Sequence, residues 1–214
     1  MKNNVKRKVL AALCAALVSL GALTAAGCSK KENWIPAGMK LASSDAVDYI
    51  LYVPDSWTVD ISTGVLSAFV SGVDRSNITM IAFNLEGDDT YLTPQQYWDK
   101  QEPQLIATFP DLTYIDPTAE PEDTAASDTA AEAETAPAEN DHARNNNPVT
   151  AVVAETNAAK YYYTATVTGT TYEYMQVVWI RGGIAYMLTY TAIPDNFQSH
   201  LEDVDRILEH ISYQ

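Results

Sequence analysis

Beyond residue 45 the apolar positions come in short runs, each closed by Gly, Pro, Asp, Asn or Ser. Tyr49–Val53, Trp57–Ile61, Val65–Ser71 and Ile78–Leu85 read as strands, because β-branched and aromatic residues suit a pleated, half-buried surface. Pro54-Asp55-Ser56 and Asp74–Asn77 supply the turns between them. Leu112–Ile115 is a further short strand. Later, Lys160–Val167, Thr171–Arg181 and Ile184–Thr191 form a meander, turned at Thr168-Gly169-Thr170 and at Gly182-Gly183, a strong two-residue hairpin signal. The period changes from strand to helix twice. Thr93-Pro94-Gln95-Gln96 is a capping box with Pro at the first helical position, and Tyr97, Trp98, Leu105 and Ile106 supply a buried face. Pro103 within that stretch predicts a helix that kinks or ends nearby. At the C-terminus Phe197, Leu201, Val204, Leu208 and Ile211 recur in steps of four and three, the stripe of an amphipathic helix, with Glu202, Asp203, Arg206 and Glu209 on its wet side.

Between these halves the pattern stops. Residues 117–147 contain no aromatic residue and no Leu, Ile or Val, so they cannot bury enough to offset chain entropy and are predicted to be a disordered acidic insertion. Residues 45–116 and 148–214 are then one interrupted domain. Strands, a helix, a three-stranded meander and a closing helix make it α+β.

The N-terminus has its own texture. Lys2, Lys6, Arg7 and Lys8 precede an apolar run over Val9–Leu20, which at about a dozen residues is shorter than the roughly 20 that a spanning helix needs. Ala25-Ala26-Gly27-Cys28 follows and resembles the lipobox of bacterial lipoproteins, with Ala25 where an aliphatic residue is usual. The expectation is a lipoprotein signal peptide over residues 1–27, cleaved to leave Cys28 lipidated, and a tether over residues 28–44. Two acyl chains at about 0.8 kcal/mol per buried methylene would then hold the protein on the extracellular face of the cell membrane. Cys14 would leave with the signal, so the mature domain would have no internal disulfide and no Cys-rich metal site.

Charge narrows the partners. The chain has 13 basic and 28 acidic side chains, net −15. Losing the four basic residues of the signal leaves nine against 28, a formal charge of −19. Such a field repels phosphate backbones and excludes nucleic acid as a partner.

Tyr52-Val53-Pro54 with Trp57, the strands around Ser76-Asn77-Ile78, the Thr93–Ile106 helix, the meander through Tyr172–Tyr190 and the closing Ser199–Val204 helix together resemble the PsbP-like fold. That fold is a single antiparallel sheet flanked by helices, and the likeness is greatest to PsbP-related lipoproteins of Gram-positive, Clostridia-like bacteria. The family includes photosystem II assembly subunits and Ran-binding import factors. The resemblance therefore implies binding and assembly rather than turnover, and it brings no family-wide active site or cofactor. The long insertion departs from the compact family pattern.

The residues themselves offer few chemical candidates. Glu86-Gly87-Asp88-Asp89 places three carboxylates in one turn, where a hard cation would bind, but without the alternating spacing of a calcium loop. His200, Glu202, Asp203 and His210 read as helix-surface polar groups. His142 lies in the insertion, and no nucleophile elbow or Gly-rich phosphate loop occurs. Asn77-Ile78-Thr79 matches a glycosylation sequon by chance. Tyr161, Tyr162, Tyr163, Tyr172, Tyr174, Trp179, Tyr186 and Tyr190 crowd the meander, and with one face of the sheet covered, part of them is expected to form an exposed aromatic platform. The chain is accordingly expected to be a non-enzymatic binding or assembly module for an extracytoplasmic protein, without metal or cofactor. The alternative is a small-ligand or cation-binding surface receptor.

Overall fold

The computed structural model describes residues 34–61, 65–116 and 146–214. The expected signal peptide, Cys28, His142 and nearly all of the insertion lie outside the described residues. Pro36–Gln214 forms one unit, and of the unit before it, Met1–Ile35, only Trp34 and Ile35 are described.

The first strands are short: β1 (Met39–Leu41), β2 (Tyr49–Ile50), β3 (Tyr52–Pro54), β4 (Thr58–Asp60) and β5 (Leu66–Phe69). β6 (Asn77–Asn84) leads through a 3-10 turn, Gly87–Tyr91, into α1 (Pro94–Thr108) and then β7 (Thr113–Tyr114). After the insertion come β8 (Val149–Val153), β9 (Thr156–Val167), β10 (Thr170–Arg181) and β11 (Ile184–Ala192). A 16-residue helical run closes the domain: α2 (Pro194–Phe197), a 3-10 turn (Gln198–His200) and α3 (Leu201–Glu209), followed by β12 (Ser212–Tyr213).

These elements make an α+β fold around one large antiparallel sheet, in the order β4-β5-β6-β11-β10-β9-β7, with β8 also on β9. Two small ribbons, β1–β3 and β2–β12, complete it. The capping box forms in both directions: Gln96 N donates to Thr93 Oγ1 at 3.2 Å, and Thr93 N to Gln96 Oε1 at 2.8 Å. Gly182 and Gly183 take φ of 61° and 78°, the left-handed pair a tight hairpin needs.

Several expectations change. Residues 39–43, expected to belong to a tether over 28–44, are part of the domain, because Met39–Leu41 pairs with β3, and Met39, Ala42 and Ser43 are buried. The apolar run Tyr49–Val53 is not one strand: its halves join different ribbons. α1 passes through Pro103. Pro103 and Asp99, whose carbonyl loses its helical partner, both lie on the exposed side, where water can serve that carbonyl. Finally, β9 begins at Thr156, four residues before the predicted start, in a hairpin with β8.

Both faces of the sheet are packed. β10 shows the consequence, for Tyr174–Trp179 are six consecutive buried residues, which a strand with one wet face cannot have. Met175, Val177 and Trp179 meet Phe197, Val204 and Ile207 of the helical run and the ribbon residues Tyr49, Leu51 and Val53. Tyr161, Tyr163, Tyr174 and Val178 meet Tyr97 and Trp98 of α1. Tyr162 falls on the opposite face from its two neighbours, as strand alternation requires.

Candidate functional site

α1 lies across its face of the sheet because Tyr97 and Trp98, just inside the cap, are its buried residues. Trp98 stacks on Tyr161 with ring centroids 4.0 Å apart and planes 9° off parallel. Its indole N–H donates to Tyr114 Oη at 2.9 Å, and Tyr114 donates in turn to Glu102 Oε1 at 2.7 Å. Asn146 Nδ2 donates to both Glu102 oxygens at 3.3 Å. Burial, and then the hydrogen bond to Glu102, hold the Tyr114 hydroxyl well above the usual tyrosine range. Beside this stack, Tyr163 lies on Tyr174 with centroids 4.9 Å apart and donates to Gln176 Oε1 at 2.8 Å. Gln176 Nε2 then faces the thioether of Met187.

α1 does not cover its whole face. Between it and the neighbouring strands lies a groove of about 420 Å³ whose apolar lining is Phe83, Leu85, Tyr97, Trp98, Leu105 and Met187. Gln101, Glu102 and Gln176 supply polar groups, and at the lip Asp89 pairs with Lys100 at 2.5 Å. Asn84, Gln104 and Thr108 add further polar groups, so the site is concave and mixed in character, able to hold an organic ligand or a side chain.

The other face carries a polar cluster that sequence reasoning missed. Asp74 Oδ1 accepts from Ser76 N at 2.9 Å and from Ser76 Oγ at 2.6 Å, and its Oδ2 accepts from His200 Nε2 at 2.7 Å. Partial burial pushes the Asp74 carboxyl up, but the hydrogen bonds from Ser76, His200 and Asn196 outweigh it and hold the group below the usual carboxylate range. Trp57 meets the His200 ring edge-on at 6.2 Å. Ser76 and His200 both spend their donors on this carboxylate, which clasps the β5–β6 turn to the helical run.

The sequence candidates fare differently. Glu86–Asp89 enters the 3-10 turn, Asp89 is taken by Lys100, and no three metal-ligating side chains converge among the described residues. His200, Glu202, Asp203 and His210 are not brought together either. His200 turns to Asp74, Asp203 lies 3.9 Å from Arg206, and His210 Nδ1 bonds the Arg206 carbonyl at 2.8 Å. The expected aromatic platform is overturned, because Tyr161, Tyr163, Tyr174, Trp179, Tyr186 and Tyr190 are all buried between sheet and helices. Glu102 and Gln176 were not legible as site residues, since a lone Glu in a helix and a lone Gln in a strand carry no motif.

No family model matches the sequence, and no curated protein does. Solved structures do share its fold. The solution structure of cyanobacterial PsbP (CyanoP) from Synechocystis sp. PCC 6803 superposes with a TM-score of 0.54 at 11% identity, covering 85% of this chain and 96% of that one. LpqN, involved in cell envelope biogenesis of Mycobacterium tuberculosis, gives 0.52 at 13% identity over 81% of this chain and 89% of its own. A protein from Bacteroides thetaiotaomicron gives 0.51 at 12% identity over 83% of this chain, which spans only 48% of that longer protein. The fold is PsbP-like, and at these identities the likeness is one of fold.

Proposed function

We propose that this protein is a membrane-anchored extracytoplasmic lipoprotein, tethered through Cys28, whose domain binds another protein and performs no catalysis. The observation that carries the binding role is the groove beside α1. There Phe83 remains 45% exposed beside the apolar side chains of Leu85, Leu105 and Met187. The His200–Asp74 pair supports a non-catalytic reading, because Ser76 and His200 both spend their donors on the Asp74 carboxylate. The envelope role of the mycobacterial fold neighbour is of the same kind as the proposed address. A second reading, a small-ligand receptor, draws on the volume of the groove, which falls in the roughly 300–1,000 Å³ range of small-molecule sites.

In-cell crosslinking with mass spectrometry tests the proposal, with Cys28→Ser as the unanchored control. The wild-type protein is expected in the membrane fraction with one recurrent protein partner, and the variant in the medium without it. A Cys28→Ser protein that stays with the membrane overturns the anchor. Absence of any recurrent partner across growth conditions overturns protein binding and leaves the small-ligand reading.

A further inference from the structure

Gln176 is more than nine-tenths buried, yet its amide is only half served. Tyr163 donates to its oxygen, which fixes the amide so that Nε2 faces a thioether, a weak acceptor. A buried amide N–H calls for an oxygen acceptor, and this one lines the groove. Glu102, on the same groove, has the opposite need. Its carboxylate meets only the neutral donors Tyr114 and Asn146 among the described residues, whereas Asp89 nearby has Lys100. In a chain of net charge −15, such a carboxylate draws a cation. The same groove is lined by the apolar side chains of Trp98, Leu105 and Met187.

A carbonyl, an apolar side chain and an ammonium or guanidinium are joined in one ligand in a basic peptide. We propose that the α1 groove binds a basic, apolar peptide segment of the protein partner, with a main-chain carbonyl on Gln176, an apolar side chain on the apolar lining and a Lys or Arg at Glu102. This rests on the protein-binding reading above and names the chemistry of the partner.

The full mature chain carrying Cys28→Ser is titrated with acetyl-Leu-Lys-Leu-amide and with acetyl-Leu-Glu-Leu-amide, following the Gln176 side-chain amide and the Trp98 indole by NMR. Saturable shifts at both groups are expected with the lysine peptide, at least about fivefold tighter than with the glutamate peptide and weakening as salt is added. Glu102→Gln keeps an acceptor for Tyr114, removes the charge and abolishes the preference. Phe83→Lys, at the exposed rim, repels the lysine peptide and leaves the core untouched, so it carries the test if Glu102→Gln does not fold. Equal affinity for the two peptides, or shifts confined to surfaces away from Gln176, overturns the proposal. In cells, a recurrent partner that crosslinks equally well to Phe83→Lys removes the groove assignment and leaves protein binding standing, whereas absence of any partner removes both.

Discussion

One face of the sheet is closed by three pieces of chain from opposite ends of the sequence, and the other by a single helix. On the closed face the C-terminal helical run and the two ribbons bury Phe197, Trp57 and Trp179, and the ribbon β2–β12 ties the last residues back to Tyr49–Ile50. Trp179 Nε1 donates to Tyr213 Oη at 2.6 Å, and the Arg181 guanidinium sits 3.9 Å above that ring. On the other face α1 brings only Tyr97 and Trp98 fully inside, and the groove runs alongside them. Strands of the same aromatic composition thus serve two ends. Where several elements converge the side chains become core, and where one helix must cover the face alone, apolar and polar side chains stay open in the groove.

The comparison breaks most visibly at two phenylalanines. Phe197 is fully buried on the closed face and stacks on Tyr190 with centroids 5.0 Å apart, while Phe83 is half exposed at the groove. Phe197→Ala should cost about 3–5 kcal/mol, the range for emptying a packed aromatic site. Phe83→Ala should stay within about 0.5 kcal/mol, as surface changes do. Chemical denaturation of the two variants reads both. Equal losses would mean that the groove rim is core and that the two faces do not differ as described.

The clasp at Asp74 gives the next effect. Asp74→Ala removes the acceptor for the buried Ser76 and for His200, and should cost about 2 kcal/mol at neutral pH. The folded carboxyl titrates below its unfolded value, so its contribution is complete above the unfolded value of about 4 and is lost as the pH falls through the lowered one. The gap between wild type and Asp74→Ala should therefore close in strong acid, as the pH falls through the lowered value. A gap that persists unchanged in strong acid would show that Asp74 acts by packing and not by its charge.

Which parts of this were legible in the sequence follows from what kind of signal each part needs. The cap at Thr93, the Gly182-Gly183 hairpin and the stripe from Phe197 to Ile211 are local, and all three appear in place. The β8–β9 hairpin was missed because Ala154 and Glu155, at φ of 46° and 62°, make its turn without the Gly or Asn that announces one. The ribbons were missed because pairing Met39–Leu41 with β3, or Tyr213 with Tyr49, is a long-range decision that two or three residues do not advertise. The aromatic platform follows from the sequence only if one face of the sheet is open, and both faces are packed. A count of apolar residues in the meander shows that much must be buried, but not that α1 lies over Tyr161 and Tyr163. For the same reason the groove was invisible, since it is the part of that face which α1 leaves bare.

The smallest effect sharpens the contrast within the α1 face itself. Two tyrosines flank Trp98 there, and their hydroxyls are treated differently. Tyr114 accepts from the indole and donates to Glu102, whereas the buried Tyr161 hydroxyl has no hydrogen-bond partner among the described residues. Burial, and the nearby carboxylates of Asp99 and Glu102, keep Tyr161 protonated far above the usual range, so the hydroxyl is neutral throughout ordinary pH. Tyr114→Phe should cost about 1 kcal/mol, because two partners are left wanting. Tyr161→Phe keeps the 4.0 Å stack on Trp98 and deletes a group that lost its water on folding. It should leave stability unchanged or raise it by up to about 1 kcal/mol. A loss as large as that of Tyr114→Phe would mean that the Tyr161 hydroxyl is bonded in solution, and that this side of α1 is as fully satisfied as the clasp on the opposite face.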